Sequence, residues 1–309
     1  MSGAVSWRWG TCEAGPPALH RRRTRSGHRQ LVRLSLGMDL FRRLTGIPGV
    51  HALWRRWPVG TVSRLVEYDV WDRPAYAYGV LRAAELARSL RVPAISVAEF
   101  GVAGGRGLLA LERIARRISR DTGVVIQVLG FDAGDGMPEP LDYRDLPHVW
   151  QRGFYRMDQA ALRAKLNSAR LIIGDVGDTA AALVREPTLA PLGFVSFDLD
   201  YYSSTKKALR IFDGPPHTRL PRVWCYFDDL IEPERACHNE WVGERLAIDE
   251  FNREHERRKL GAVPSLRATR PRPSAWNEQM FVFHDFDHPE YTTLITPEGD
   301  SYRQIPLGS

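Results

Sequence analysis

The sequence predicts an α/β protein, with a doubly wound, mainly parallel sheet and helices on both faces. Short apolar runs of strand length alternate with helical stretches along most of the chain. Several of these runs end on an acid, at Asp132, Asp175, Asp198 and Asp228. A glycine-rich turn joins the first run to an amphipathic helix. At 309 residues and 43% hydrophobic content, the chain is long enough to bury one large core.

Taken in order, residues 1–37 hold seven arginines and one acid, Glu13. They account for the whole formal net charge of +6, because the remaining basic and acidic side chains cancel. Such a tail can contact nucleic acid or membrane, or act as a transit segment. The expectation here is a disordered tail without a specific role. Residues 38–90 are expected to form a helical cover, with Asp69–Leu90 as its main helix, and residues 91–309 the core with a variable C-terminal part. Ala94–Phe100 reads as the first strand. Gly101, Gly104, Gly105 and Gly107 form the turn, and Leu108, Leu111, Ala115 and Ile118 then recur at helical spacing. Val124–Asp132 and Arg170–Asp175 read as the next strands, the latter followed by a helical run over Ala180–Arg185. Gly193–Phe197 and Val223–Phe227 read as the fourth and fifth, with a helix over residues 204–212 between them. Glu240–Lys259 is strongly charged and reads as a surface helix. Residues 278–286 and 291–296 are expected to close a seven-stranded sheet.

Parallel strands deliver their carboxyl ends to one crevice, where open α/β sheets bind ligands. Asp198 and the adjacent Asp228 and Asp229 would meet there, and mutual repulsion would require a cation. All-oxygen ligands suit Mg²⁺, Mn²⁺ or Ca²⁺ better than zinc. Asp200 would point to the opposite face of the strand from Asp198 and stand as a structural partner. The glycine turn would let the backbone approach a ligand and aim a helix N-terminus at it. No Lys-Ser or Lys-Thr follows the glycines, so a phosphate-cradling loop is disfavoured. Taken alone, Asp132 and Asp228-Asp229 could equally be turn or capping residues.

The order E-x-G-V-x-G-G, F-D-x-x-x-G-M-P, G-D-x-x-D-T, D-L-D-Y-Y-S-S-T and F-D-D resembles class I S-adenosylmethionine-dependent methyltransferases, whose sheet is Rossmann-like. Within them it is most similar to the metal-dependent macrocin O-methyltransferase type. The resemblance runs from about residue 61 to about residue 248. It implies that Glu99, Gly101, Gly104 and Gly105 form the cofactor turn beside the methionine part of S-adenosylmethionine. Asp132 would accept hydrogen bonds from the ribose, with Asp175 and Asp178 near the adenine. Asp198, Asp228 and Asp229 would hold a divalent cation, Mg²⁺ or Mn²⁺, with Asp198 also the proposed general base. Leu199 and Ser203 depart from the family's Gly and Glu, which bears on acceptor identity more than on the metal.

The expected activity is methyl transfer to a hydroxyl of a small molecule, a sugar or a glycosylated natural product. An NAD(P)-binding oxidoreductase is the first alternative. It is disfavoured by Ala103, where a dinucleotide fingerprint has its second glycine, and by the lack of an evident Tyr-x-x-x-Lys pair. A non-catalytic cofactor-binding protein is the second. His284 and His288 read as part of a polar turn ahead of Pro289 rather than as a metal pair. His148, amid Tyr143, Trp150, Phe154 and Tyr155, is a lesser candidate for covering the acceptor. Cys12, Cys225 and Cys237 show no metal or disulfide spacing, and a reducing cytoplasm is the expected setting. No apolar run is long enough to span a bilayer, and no nucleic-acid partner is expected. Relatives often assemble, so a homo-oligomer is an open expectation.

Overall fold

The computed structural model describes residues 47–231 and 234–296. The chain divides into two compact units, Met1–Ile47 and Pro48–Ser309. The expected basic tail and the start of the helical cover lie outside the described residues.

In the second unit, helices α1 (Pro48–Arg56), α2 (Val62–Glu67) and α3 (Pro74–Ser89) precede the sheet. Pro74 sits at the first position of α3, where its missing N–H costs no hydrogen bond. Strand β1 (Ala94–Phe100) leads through the glycine turn into α4 (Arg106–Thr122). Both ends of α4 are left-handed glycines, Gly105 and Gly123, and this conformation is open to glycine without strain. There follow β2 (Val125–Asp132), α5 (Gln159–Arg163), β3 (Arg170–Ile173) and α6 (Val176–Leu183). Then come β4 (Leu192–Phe197), α7 (Tyr202–Ala208), β5 (Arg219–Phe227) and α8 (Gly243–Glu254). Strand β6 (Arg258–Ala262), α9 (Leu266–Thr269) and β7 (Met280–Asp285) complete the described fold.

The strand order is β3-β2-β1-β4-β5-β7-β6. The first five strands are parallel, and β7 runs antiparallel to both β5 and β6. The doubly wound, mainly parallel sheet expected from the sequence is present, with two differences at its far edge. The charged helix ends at Glu254, and Arg258–Ala262 forms the strand that pairs with β7. Residues 291–296 form no strand, and Leu294 there is exposed. Arg258–Ala262 satisfies the β7 edge and buries Leu260, which residues 291–296 do not do.

Alternation along each strand divides the core into two layers. Ile95, Val97, Phe194 and Tyr226 face α3 and α4 in one apolar cluster. Ala98, Phe100, Val195, Phe197, Cys225 and Phe227 face α6, α7 and α8 in the other. In that second layer Phe131, Phe100, Phe197 and Phe227 are direct partners across β2, β1, β4 and β5. Their rings stack in sequence at centroid distances of 4.6, 5.6 and 4.6 Å. Each phenylalanine is the last apolar residue of its strand. The residues that follow, Asp132, Gly101, Asp198 and Asp228, are thereby held level along one rim.

Candidate active site

The strand order reverses between β1 and β4, and a cleft of about 760 Å³ opens at the carboxyl ends of the strands there. Glu99, Gly101, Gly104, Gly105, Asp132, Asp175, Asp198, Asp228 and Asp229 all line it. The structure thus brings together every expected site residue except Asp178, which stands exposed on the first turn of α6 outside the lining. His148 is likewise exposed and outside it.

Two glycines of the turn are demanded by what lies against them. Gly101 has a left-handed φ of +85°, and a Cβ there would meet the Asp198 carbonyl oxygen at 1.7 Å. A Cβ on Gly107 would meet Glu99 Oε1 at 1.8 Å. Gly104, by contrast, faces open space. Asp132 closes the turn from the next strand. Its Oδ2 accepts from the Ala103 N–H at 2.7 Å and its Oδ1 from the Gly134 N–H at 2.6 Å. Asp175 caps α6, accepting from the Gly177 N–H at 2.8 Å, and pairs with Lys207 Nζ at 2.8 Å.

Asp198, Asp228 and Asp229 each present a carboxylate oxygen, and these lie within 4.8 Å of one another. Asp198 extends from β4, its N–H bonded to the Phe100 carbonyl at 3.0 Å. Asp228 accepts from the Tyr226 hydroxyl at 2.7 Å. Asp229 Oδ2 accepts from the Asp200 N–H at 2.7 Å, while the Asp229 N–H donates to Glu244 Oε2 at 3.0 Å. Asp200 holds this bond from a left-handed φ of +55°; because β4 ends at Phe197, strand alternation does not turn it to the opposite face as expected, and it lines the same cleft as Asp198. Burial pushes the Asp198 carboxyl well above the usual range, reinforced by the charges of Asp228, Glu99 and Asp200. Glu244, fully buried in α8, is raised well above its usual value by burial, with the Asp229 N–H opposing. This concentration of carboxyl groups is costly without a counter-cation. Among the described residues these three aspartates are the one group of His, Cys, Asp or Glu side chains placed to hold a metal ion. His284 lies within β7, not in the expected polar turn, and bonds the Tyr291 hydroxyl at 2.9 Å; His288 lies beyond the strand, ahead of Pro289, and bonds the Arg219 carbonyl at 3.2 Å.

Three residues escaped the sequence reading. Glu244 looks like one more charge on a surface helix, yet it is fully buried behind Asp229. Asp145 is also fully buried. It accepts from the N–H and hydroxyl of Ser203, both at 2.8 Å, and from the Leu141 N–H at 2.9 Å. The β2–β3 connection is so tied to α7, and it contributes Met137, Pro138, Glu139, Leu141, Trp150 and Tyr155 to the cleft. Arg73, just ahead of α3, is the third. It lines the cleft beside Glu99, and its guanidinium lies 5.5 Å from the Tyr76 ring centroid. The signal was slight, an arginine before a proline at a helix start. Tyr76 donates to Glu99 Oε1 at 2.7 Å, while the buried Oε2 has no partner. Burial raises the Glu99 carboxyl to about 8, against the opposing effects of Tyr76 and Arg73.

Among solved structures, the chain is similar to CalS11, a calicheamicin methyltransferase, at 21% identity and a TM-score of 0.46, covering 72% of this chain and 89% of that one. It is similar to the O-methyltransferase NovP at 16% identity and a TM-score of 0.46, covering 68% and 79%. It is similar also to the Podospora anserina methyltransferase PaMTH1 at 16% identity and a TM-score of 0.38, covering 89% and 100%. No protein-family model and no curated protein matches the chain. Likeness at this level carries no argument about function, which rests on the cleft itself.

Proposed function

We propose that this protein is an S-adenosylmethionine-dependent O-methyltransferase, assisted by a divalent cation and acting on a hydroxyl of a small molecule. A sugar or glycosylated natural product is the acceptor class that the motif resemblance favours. The observation that carries the reading is the meeting, in one cleft, of the glycine turn with Asp132 and the Asp198-Asp228-Asp229 cluster.

The residues present fit both groups. Three carboxylates within 4.8 Å form an all-oxygen donor set suited to Mg²⁺ or Mn²⁺. Such an ion supplies charge neutralisation and a lowered pKa for a bound hydroxyl. On the donor side, the unpartnered Oε2 of Glu99 awaits a hydrogen-bond donor, and Asp132, at the end of the neighbouring strand beside Gly101, lines the same cleft for a diol. S-adenosylmethionine, when bound, supplies a methyl group on a sulfonium.

The chain's own contribution is mostly positioning, because in-line methyl transfer needs no covalent help. Asp198 lies between the donor turn and the other two acids, its carbonyl packed on Gly101. It therefore stands where an acceptor hydroxyl would surrender its proton. Trp150, Tyr155 and Met137 line the same cleft and would offer an apolar wall to an acceptor.

Radiolabelled methyl transfer to a panel of sugars and diols tests this reading. Activity should appear with Mg²⁺, vanish on chelation, and fall at least ~100-fold in Asp198→Ala. Calorimetric titration with S-adenosylhomocysteine and with NAD provides the other arm. Binding of NAD alone would overturn the proposal.

A further inference from the structure

We propose that the outward face of α1 docks this protein on an anionic lipid surface. Leu53 and Trp57 enter the headgroup layer there, and the neighbouring arginines hold the lipid phosphates. The inference stands apart from the methyl-transfer reading and does not depend on it.

Helix α1 is anchored by one side only. His51 is buried, its Nε2 bonded to the Tyr68 carbonyl at 2.8 Å. Trp54 packs on the Tyr68 ring and donates from Nε1 to the Val59 carbonyl at 2.8 Å. The opposite side is apolar and open. Val50, Leu53 and Trp57 recur at helical spacing on one face, and the Trp57 N–H continues the turn by bonding the Leu53 carbonyl at 3.0 Å. Leu53 is 60% exposed and Trp57 62%. Among the described residues, no other α-helix carries a large apolar side chain so exposed. Arg55 and Arg56 stand exposed beside this face.

The sequence leading into α1 carries the same pairing of charge and apolar bulk. Leu40-Phe41-Arg42-Arg43-Leu44 and Leu53-Trp54-Arg55-Arg56-Trp57 repeat one pattern, a leucine, an aromatic, two arginines and an apolar residue. Residues 1–60 hold eleven arginines against two acids, Glu13 and Asp39. With 43 basic and 37 acidic side chains in all, the rest of the chain keeps 32 and 35. Attraction to an anionic surface is thus confined to the stretch that ends in the exposed helix face.

That combination selects among occupants. An anionic bilayer takes both features, because its phosphates draw the arginines and its interface receives Trp and Leu. A nucleic acid would use the arginines but leave the apolar face in water. A second copy of the chain, meeting this face with its own, would bring two arginine-rich stretches together, and like charges would repel.

Co-sedimentation of the full chain with lipid vesicles tests the proposal. Vesicles containing phosphatidylglycerol should retain the protein, pure phosphatidylcholine vesicles should not, and the bound fraction should fall as salt rises. Leu53→Ser combined with Trp57→Ser should weaken the binding at least ~10-fold without moving the melting temperature, because His51 and Trp54 still seat the helix. Arg55→Gln with Arg56→Gln should weaken it roughly 10-fold or more, and this pair keeps the test decisive if the serine variant fails to fold. Undiminished binding in either folded variant would overturn the proposal, as would equal retention on neutral vesicles or none on either. A dimer that dissociates in the serine variant would put a second copy on the face. Tighter binding to duplex DNA than to vesicles would give the arginines to nucleic acid. Both results refute the lipid assignment.

Discussion

Three glycines in one turn differ sharply in what they tolerate. Gly107→Ala would drive a methyl into Glu99 Oε1, and Gly101→Ala into the Asp198 backbone. Gly104 meets nothing within 4 Å and has no left-handed φ. Alanine at 101 or 107 is therefore expected to abolish S-adenosylhomocysteine binding or soluble expression, and alanine at 104 to leave affinity within about 3-fold. Calorimetry on the three variants checks the ranking. A motif reading treats these glycines alike; only the approach of β4 to the turn separates them. Asp198→Asn should retain the donor-product affinity and lose transfer by roughly 10²- to 10⁴-fold, measured as kcat. Arg73 and Asp145 were illegible at this scale for a plain reason. Each gains meaning from a partner far along the chain, Glu99 in one case and Ser203 in the other.

At the scale of elements, the five parallel strands were legible because each is an apolar run closed by an acid or glycine. The sixth was not. Arg258–Ala262 is short, carries Arg and Lys and buries Leu260 alone of its apolar residues, as suits an edge strand. Residues 291–296 have β-branched character but pair with no strand among the described residues. Propensity thus lost to pairing. The stacked phenylalanines set the register of four strands, so Phe197→Ala should destabilise the fold by about 3–5 kcal/mol in denaturant melts. Helix α4 offers a second test through Glu112. Its carboxylate accepts from the Asn167 N–H at 3.0 Å and the Ala169 N–H at 2.9 Å, and also from Ser168. Burial opposes ionisation, but these bonds win and hold the group down to about 2. A depressed folded pKa contributes stability that is present above the unfolded value near 4.5 and lost as pH falls toward 2. Glu112→Gln should therefore cost about 2–3 kcal/mol near neutral pH, and little at pH 2, in urea titrations.

For the whole molecule, the crowded acids make ligand binding and stability one question. Mg²⁺ relieves repulsion only in the folded state, so it should raise the melting temperature, by up to ~2.7 kcal/mol of stability at a hundredfold excess over Kd. Thermal scans of Asp228→Asn should show a higher starting Tm and a smaller response to Mg²⁺. No helix among the described residues is long and apolar enough to cross a membrane. The aromatic tier beneath the rim has one further consequence. Because Phe131, Phe100, Phe197 and Phe227 align the strand tips from below, the chemistry above them is a set of replaceable heads on a fixed rack. Amide substitution at Asp198 should leave that rack standing, giving an inert copy of the protein that still captures the donor and can serve as a trap for fishing out the unknown acceptor.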